Sequence, residues 1–334
     1  MPYYPEKRPE ISGNEKERNR RTVKKQGRLL RLSLIIFFCL LTGYGMARLI
    51  PYIADLITSR QTSGELQQIQ SQAVPGQDPS GQALSEIVSP TFAPLSVTDI
   101  PQPAETAVPD GNDDIGILQP VQYPDNPERK ISDRFMNLRK KGKYIVGWIS
   151  FDEVDEPVAQ KDNSYFLNRD ATGKKNSNGA IFLDSGISLQ NRPYTIILYG
   201  HNMKSGNMFG RLKKYKESAY FHKHRIITFD TLYEDGQYAV FAVMETDTIP
   251  GLARWYDLWA LTTDNCTERE EAIRTMERRS LVSSTLDVQA DDQILLLVTC
   301  LDGDTERLVV AARRLREGEQ PDQLFIKKQS DGNH

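Results

Sequence analysis

The sequence is short of cysteine and histidine and has almost no net charge, and each shortage closes off a class of protein. Three cysteines, Cys39, Cys266 and Cys300, stand among 334 residues. Cys39 lies in an apolar run, which leaves only Cys266 and Cys300 to pair and excludes a disulfide-stapled framework. The four histidines are His201, His222, His224 and His334. His222 and His224, in FHKHR, offer two metal ligands without a recognisable third, a weak basis for a zinc site. No set of carboxylates forms an evident calcium cage. Neither a metal nor an organic cofactor is expected. With 42 Lys+Arg against 45 Asp+Glu, nothing in the bulk charge asks for a nucleic-acid partner. No internal repeat is visible.

What is present is unevenly distributed. Residues 1–31 hold ten Lys/Arg and four Asp/Glu, whereas residues 59–127 hold one Arg, Arg60, and nine acidic residues. Between them, 32–47 reads LSLIIFFCLLTGYGMA without a charge, bracketed by Arg31 and Arg48. About 20 apolar residues span a bilayer, and flanking Arg side chains can snorkel to its surface. The expectation is a transmembrane signal-anchor helix over 32–52 behind a basic cytoplasmic segment, 1–31. The basic flank places the N-terminus in the cytoplasm and the rest outside the cell. A cleaved signal peptide is the alternative. Residues 59–127 carry ten of the 18 prolines and few aromatics, so they cannot bury enough apolar surface to offset chain entropy. The stretch 53–127 is therefore expected to be a flexible acidic stalk, and 128–328 the folded domain.

That domain reads as mainly β. Ile131, Phe135 and Leu138 have helical spacing and predict a short opening helix. Apolar runs between turn-forming clusters predict strands near 143–150, 155–160, 179–184, 194–199, 225–230, 237–246, 293–299 and 307–313. Between the sixth and seventh, Thr267 and Glu270 have capping-box spacing, and Ala272, Ile273 and Met276 supply an apolar helix face. Eight short strands with few helices predict a closed or nearly closed barrel.

Two residues stand where chemistry is usually placed. His201 follows the strand YTIILYG and opens the Gly-rich loop NMKSGNMFG. It is a functional side chain on a rigid scaffold or a half-exposed turn histidine, and local sequence does not choose. Cys300 ends QILLLVT and leads into LDGDTE. A lone cysteine there is either a buried small hydrophobe or a working thiol. A short loop joins its strand to RLVVAAR, which would bring Arg307 close to Cys300 if the two strands pair. A cation there would stabilise a thiolate or an oxyanion, and His201 would complete a set of nucleophile, proton carrier and electrophilic clamp.

At these residues the sequence resembles the sortase family, class B, over roughly 128–316. ILYGHNMKSGNMFGRLKKY resembles the class B histidine segment, and IVGWISF, DNSYFLNRDATGKKNSNGAIFLD and the LVTC…RLVV pair match in order and spacing. The helix between strands six and seven is also a class B feature. The resemblance implies an eight-stranded sortase-type β-barrel, with Cys300 as nucleophile, His201 as general acid/base and Arg307 as substrate clamp and oxyanion stabiliser. The family commonly has T-L-x-T-C where this chain has Leu296, Leu297, Val298, Thr299 and Cys300. Val298, Thr299 and Leu301 beside the nucleophile, and Tyr256 in IPGLARWYDLW, are the expected substrate-binding residues.

The implied reaction is cleavage of an NPxTx-like C-terminal sorting motif after Thr, through a thioacyl intermediate. The protein is then transferred to an amine of a peptidoglycan precursor of the lipid II type. Partners would be secreted proteins bearing that motif, the wall precursor and, through the N-terminal helix, the membrane. Pilin polymerisation, hydrolysis by the same residues and a non-catalytic wall-binding domain are the rivals.

Overall fold

The computed structural model describes residues 13–72, 116–301 and 305–324. The chain forms two units, Met1–Thr58 and Ser59–His334. Helix α1, Gly13–Gln72, contributes to both.

The second unit is a barrel of eight strands: β1 (Ile145–Phe151), β2 (Val154–Ala159), β3 (Ile181–Leu183), β4 (Thr195–Tyr199), β5 (Ile226–Thr231), β6 (Gln237–Asp247), β7 (Ile294–Cys300) and β8 (Glu306–Arg314). The strands close in the order β1-β2-β3-β4-β7-β8-β6-β5. The β2–β3 and β4–β7 pairs are parallel and the others antiparallel. Full closure leaves no unpaired edge. Every expected strand is found within a few residues of its expected bounds. So are the opening helix α2 (Asp133–Lys141), which buries Phe135 and Leu138, and the later helix α4 (Cys266–Arg278). A further short helix, α3 (Ser218–Lys223), was not expected.

β7 shows why its sequence is apolar without alternation. Leu295 and Leu297 point into the barrel core with Leu308, Val310 and Ala312 of β8. Ile294, Leu296 and Val298 point outward into a second core with Val309, Ala311, Leu261 and the α4 residues Ala272, Ile273 and Met276. Successive strand side chains face opposite sides, so a strand covered on both faces reads as one hydrophobic run. This second core lies under α4 and the segment leading to it.

Three expectations change. The N-cap of α4 is Asn265, whose side-chain oxygen accepts from the Glu268 amide at 3.1 Å, so the expected Thr267–Glu270 box starts too late in the chain. The stalk expected over 53–127 shrinks from both sides. From Ser59 on, α1 packs in the barrel unit: Leu66 is buried, Ser63 Oγ donates to Glu156 Oε2 at 2.7 Å, and Gln67 Nε2 donates to the Asp155 carbonyl at 2.8 Å. At the other end Leu118 and Tyr123 are buried, and the Tyr123 hydroxyl donates to the Leu189 carbonyl. Single apolar anchors in polar sequence escape a compositional reading. The remainder of the stalk, 73–115, lies outside the described residues, as do residues 1–12 of the basic segment, 302–304, and the C-terminus from 325, His334 included.

The third change concerns 32–52. Among the described residues no helix is long and apolar enough to cross a membrane. The charge-free run 32–47 has 16 residues, about 24 Å of helix against a hydrocarbon core of about 30 Å.

Candidate active site

The site is built where β7 and β8 leave the barrel. Cys300 and Arg307 are direct cross-strand partners, the last pair of the β7–β8 ladder. They share the outward face with Val298 and Val309, so both point to the side covered by the segment before α4, not into the barrel. On its other flank β7 pairs in parallel with β4, with Tyr199 level with Val298. Two bonds carry this pairing past the strand end. The Gly200 amide donates to the Val298 carbonyl at 3.2 Å, and Thr299 Oγ1 donates to the Gly200 carbonyl at 2.7 Å. His201 therefore comes out beside Cys300. The nucleophile candidate is flanked by the histidine on one strand and the arginine on the other.

His201 is held by its surroundings. Its Nε2 lies 2.7 Å from the Leu167 carbonyl oxygen. A carbonyl only accepts, so Nε2 carries the proton in this contact, and in the neutral ring Nδ1 is the nitrogen left for proton exchange. Gly179, at φ +65°, backs the ring: a Cβ there would stand 2.9 Å from His201 Cδ2 and 2.6 Å from the Phe166 carbonyl oxygen. Any side chain at 179 would push the imidazole away. Asn202 Nδ2 donates to the Cys300 carbonyl at 2.8 Å, tying the histidine loop to the nucleophile. Sequence reading missed Leu167, Gly179 and Asn202. Their one signal is adjacency, since Asn202 follows His201 and the other two lie in DNSYFLNRDATGKKNSNGAIFLD.

Arg307 donates from Nη1 to the Glu306 carbonyl at 2.9 Å and lies near the Tyr199 hydroxyl. Burial and the Asp184 carboxylate push that hydroxyl's pKa up, with Arg307 opposing, so Tyr199 stays protonated and donates to Asp184 Oδ2 at 2.9 Å. The Leu301 amide, next to the nucleophile, already donates to the Glu306 carbonyl at 3.0 Å.

The expected substrate-binding residues divide. Leu301 lines the cavity at Cys300. Val298 is buried in the outer core, and Thr299 is spent on Gly200. Tyr256, expected in the groove wall, is buried under α4 with its hydroxyl on the Ala272 carbonyl at 2.9 Å. The exposed large apolar side chains of its segment are Ile249, Leu252, Trp255 and Trp259. The Trp259 ring lies over Gly186, where a Cβ would approach it to 2.5 Å. Arg254 fixes this segment to the site, reaching Glu245 and Asp247 of β6 at 3.1 Å each and also Glu306, the neighbour of Arg307.

The other candidates take no part. Cys266 and Cys300 are both free thiols. His224 stacks on Tyr220 and faces Asp152 at 3.7 Å, while His222 contacts Arg225.

A sortase-domain family model matches residues 150–315. Sortase B of Staphylococcus aureus is 31% identical over 195 residues, covering 57% of this chain and 78% of that protein. Sortase B of Listeria monocytogenes is 30% identical over 198 residues, covering 58% and 76%. This chain belongs to the sortase family, class B. As a class B sortase it is a cysteine transpeptidase. Among solved structures, sortase B of Bacillus anthracis in complex with AAEK1 superposes at a TM-score of 0.55 with 26% identity, over 79% of this chain and 99% of that one. The crystal structure of Staphylococcus aureus sortase B gives a TM-score of 0.50 at 31% identity, over 57% and 90%. The barrel fold is thus common to this chain and these solved sortase B structures.

Proposed function

We propose that this sortase cleaves an NPxTx-like sorting motif after its Thr and transfers the secreted protein to an amine of a peptidoglycan precursor. The observation that carries the reading is the place of Cys300, level with Arg307 across one strand pair and beside His201 across the other. The Cys300 sulfur attacks the Thr carbonyl, and the Arg307 guanidinium offsets the charge gathering on its oxygen. Because the Leu301 amide is engaged with Glu306, Arg307 takes the larger share of that work. The proton lost by Cys300 passes through His201 to the leaving amine. The thioester is then attacked by the acceptor amine, which gives its proton to His201 as the Cys300 sulfur departs.

Membrane attachment belongs to the same proposal. Residues 32–47 are exposed along their whole length, with Leu34, Ile35, Phe37, Phe38, Leu40 and Leu41 among them. So continuous an apolar surface asks for a lipid or protein cover. Attachment there, basic segment inward, would put the catalytic domain outside the cell, where a sorting substrate and a lipid-linked acceptor meet it.

The test offers a sorting peptide with and without an amine acceptor and reads the products by mass. Product carrying the amine is the expected result. Cleavage to the free acid alone, at saturating acceptor, would make the protein a hydrolase instead.

A further inference from the structure

The ladder between β4 and β7 changes character at the site. The strands pair in register up to Tyr199 and Val298, and the Gly200 amide adds one more rung on the Val298 carbonyl. A parallel ladder repeats every two residues, so the next rung would run from the Asn202 amide to the Cys300 carbonyl. The chain turns out of the sheet instead. The His201 carbonyl accepts from the Met203 and Phe209 amides of its own loop, at 3.1 and 3.0 Å. Two side chains take over the pairing: Thr299 Oγ1 donates to the Gly200 carbonyl at 2.7 Å, and Asn202 Nδ2 donates to the Cys300 carbonyl at 2.8 Å. The opposite strand leaves that carbonyl available. Bonded and non-bonded pairs alternate between antiparallel strands, and the Leu301 amide bonds to Glu306, so Cys300 and Arg307 form a non-bonded pair. The Cys300 carbonyl therefore faces β4.

Asn202 springs from a fixed point. Its backbone bridges Met208, which is buried and held at φ +52°, a left-handed conformation that a side chain adopts only where its surroundings impose it. The Gly206 amide on the Met203 carbonyl and the Gly210 amide on the Asn207 carbonyl, both at 3.0 Å, close the loop from within. The carboxamide thus sits one residue past the imidazole and is bonded to the residue that carries the sulfur. Sulfur and imidazole come from different strands, and acyl transfer with proton transfer needs them at a set separation. We propose that Asn202 is a positioning residue of the transfer reaction: its side chain replaces the last β4–β7 rung and sets the Cys300 sulfur against the His201 ring. The proposal rests on the reaction set out above. It requires a neutral donor at the δ position. Aspartate has the same shape but only accepts, and it would face the Cys300 carbonyl oxygen with a charge. Alanine removes the donor and adds no charge.

The experiment compares full-length Asn202→Ala and Asn202→Asp with the parent in single-turnover thioester formation, read by intact mass, at varied NPxTx-like peptide and without acceptor. The maximal rate should fall about 10²-fold in Asn202→Ala, the cost of a misplaced reacting group, and at least as far in Asn202→Asp. The half-saturating peptide concentration should stay within about twofold of the parent's, since the loss is in geometry and not in binding. With acceptor varied, the transfer step should slow likewise at an unmoved acceptor KM, because the same sulfur and imidazole serve both halves. Thermal melting and alkylation of Cys300 by iodoacetamide, located by peptide mass, report the fold and the thiol separately. Asn202→Asp keeps the side-chain volume and holds the test if Asn202→Ala loosens the fold. Three results overturn the proposal. One is a maximal rate in both variants within about threefold of the parent's. Another is a parent-like rate in Asn202→Asp alone, which would make shape and not donation the requirement. The third is a loss confined to the half-saturating concentration, which would make Asn202 a peptide contact. A parent protein that forms no thioester with any sorting peptide would strike the reaction itself, whereas a parent and variants that form it equally fast strike only the role of Asn202.

Discussion

Two walls flank Cys300, and they are made of opposite materials. Segment 249–259 leaves β6 beside Arg307 and exposes Ile249, Leu252, Trp255 and Trp259, at 48%, 46%, 39% and 42%. Segment 203–214 leaves β4 beside His201 and presents Lys204, Lys213 and Lys214 to the cavity. The first wall is fixed by Arg254 and by Tyr256 under α4. The second is shaped by turns at Gly206 (φ +82°) and Gly210, where a Cβ would meet the Met203 carbonyl oxygen at 2.1 Å. A transpeptidase binds two substrates of different chemistry at one sulfur in turn. The two walls offer contacts of different chemistry on either side of that sulfur.

Substitutions can break this division in graded steps. Cys300→Ala removes the thiol between the two walls, so peptide cleavage should fall by at least about 10³-fold, read as product per hour by mass. Next in size is the loss of the aromatic wall. Trp255→Ala/Trp259→Ala should raise the sorting-peptide KM about tenfold, the equivalent of about 1.4 kcal/mol, with the acceptor KM unmoved. A matching rise in the acceptor KM would mean that the walls are one site. Arg254→Ala frees the apolar wall from β6 and β8 without removing an aromatic. Exposed ion pairs are each weak, so a loss of about threefold in kcat/KM is expected, all of it in the peptide half-reaction.

The smallest effect on catalysis is expected far from both walls, at Glu156. Burial, aided by Asp155, raises its pKa from 4.5 to about 7 against the opposing Ser63 bond. The fold binds this proton more tightly than the unfolded chain. The resulting stabilisation is complete below about pH 4.5 and is lost as pH rises through about 7. Glu156→Gln should therefore raise the thermal midpoint at pH 8, by up to about 3 kcal/mol of stability. It should leave stability nearly unchanged at pH 4.5, and kcat/KM should stay at the parent value throughout. An equal gain at both pH values would show that Glu156 is not protonated in the fold.

The strands were legible because β1 to β8 are short apolar runs between turns, and Cys300, His201 and Arg307 because the resemblance covers the segments that hold them. Barrel closure was expected from eight short strands with few helices, but the parallel β4–β7 pairing was not, since no periodicity states which strands pair. The walls were less legible. Tyr256 and Trp255 are neighbours of one chemical type, yet one is buried under α4 and the other faces solvent. Arg269 was not seen at all. It sits in phase with Ala272, Ile273 and Met276, fully buried. It donates to the carbonyls of Tyr194, Leu261, Ala290 and Asp292 and to Thr195 Oγ1, bonding α4 to the strand entries of β4 and β7. Its acceptors come from distant parts of the chain, so a charged residue in TEREEAIR reads as solvated. Helical phase was the only hint. Arg269→Ala should cost about 3–5 kcal/mol in chemical denaturation, because five acceptors lose a buried donor at once.

The most direct test of acyl transfer through Cys300 is to trap the intermediate. The full-length protein is mixed with an NPxTx-like peptide without acceptor, quenched in acid, and mapped by peptide mass. The expected result is an adduct equal to the peptide up to its Thr, less water, on the fragment holding Cys300, discharged when an amine is added. Cleavage that proceeds with the adduct on Cys266 or on no cysteine, or that survives in Cys300→Ala, would contradict it.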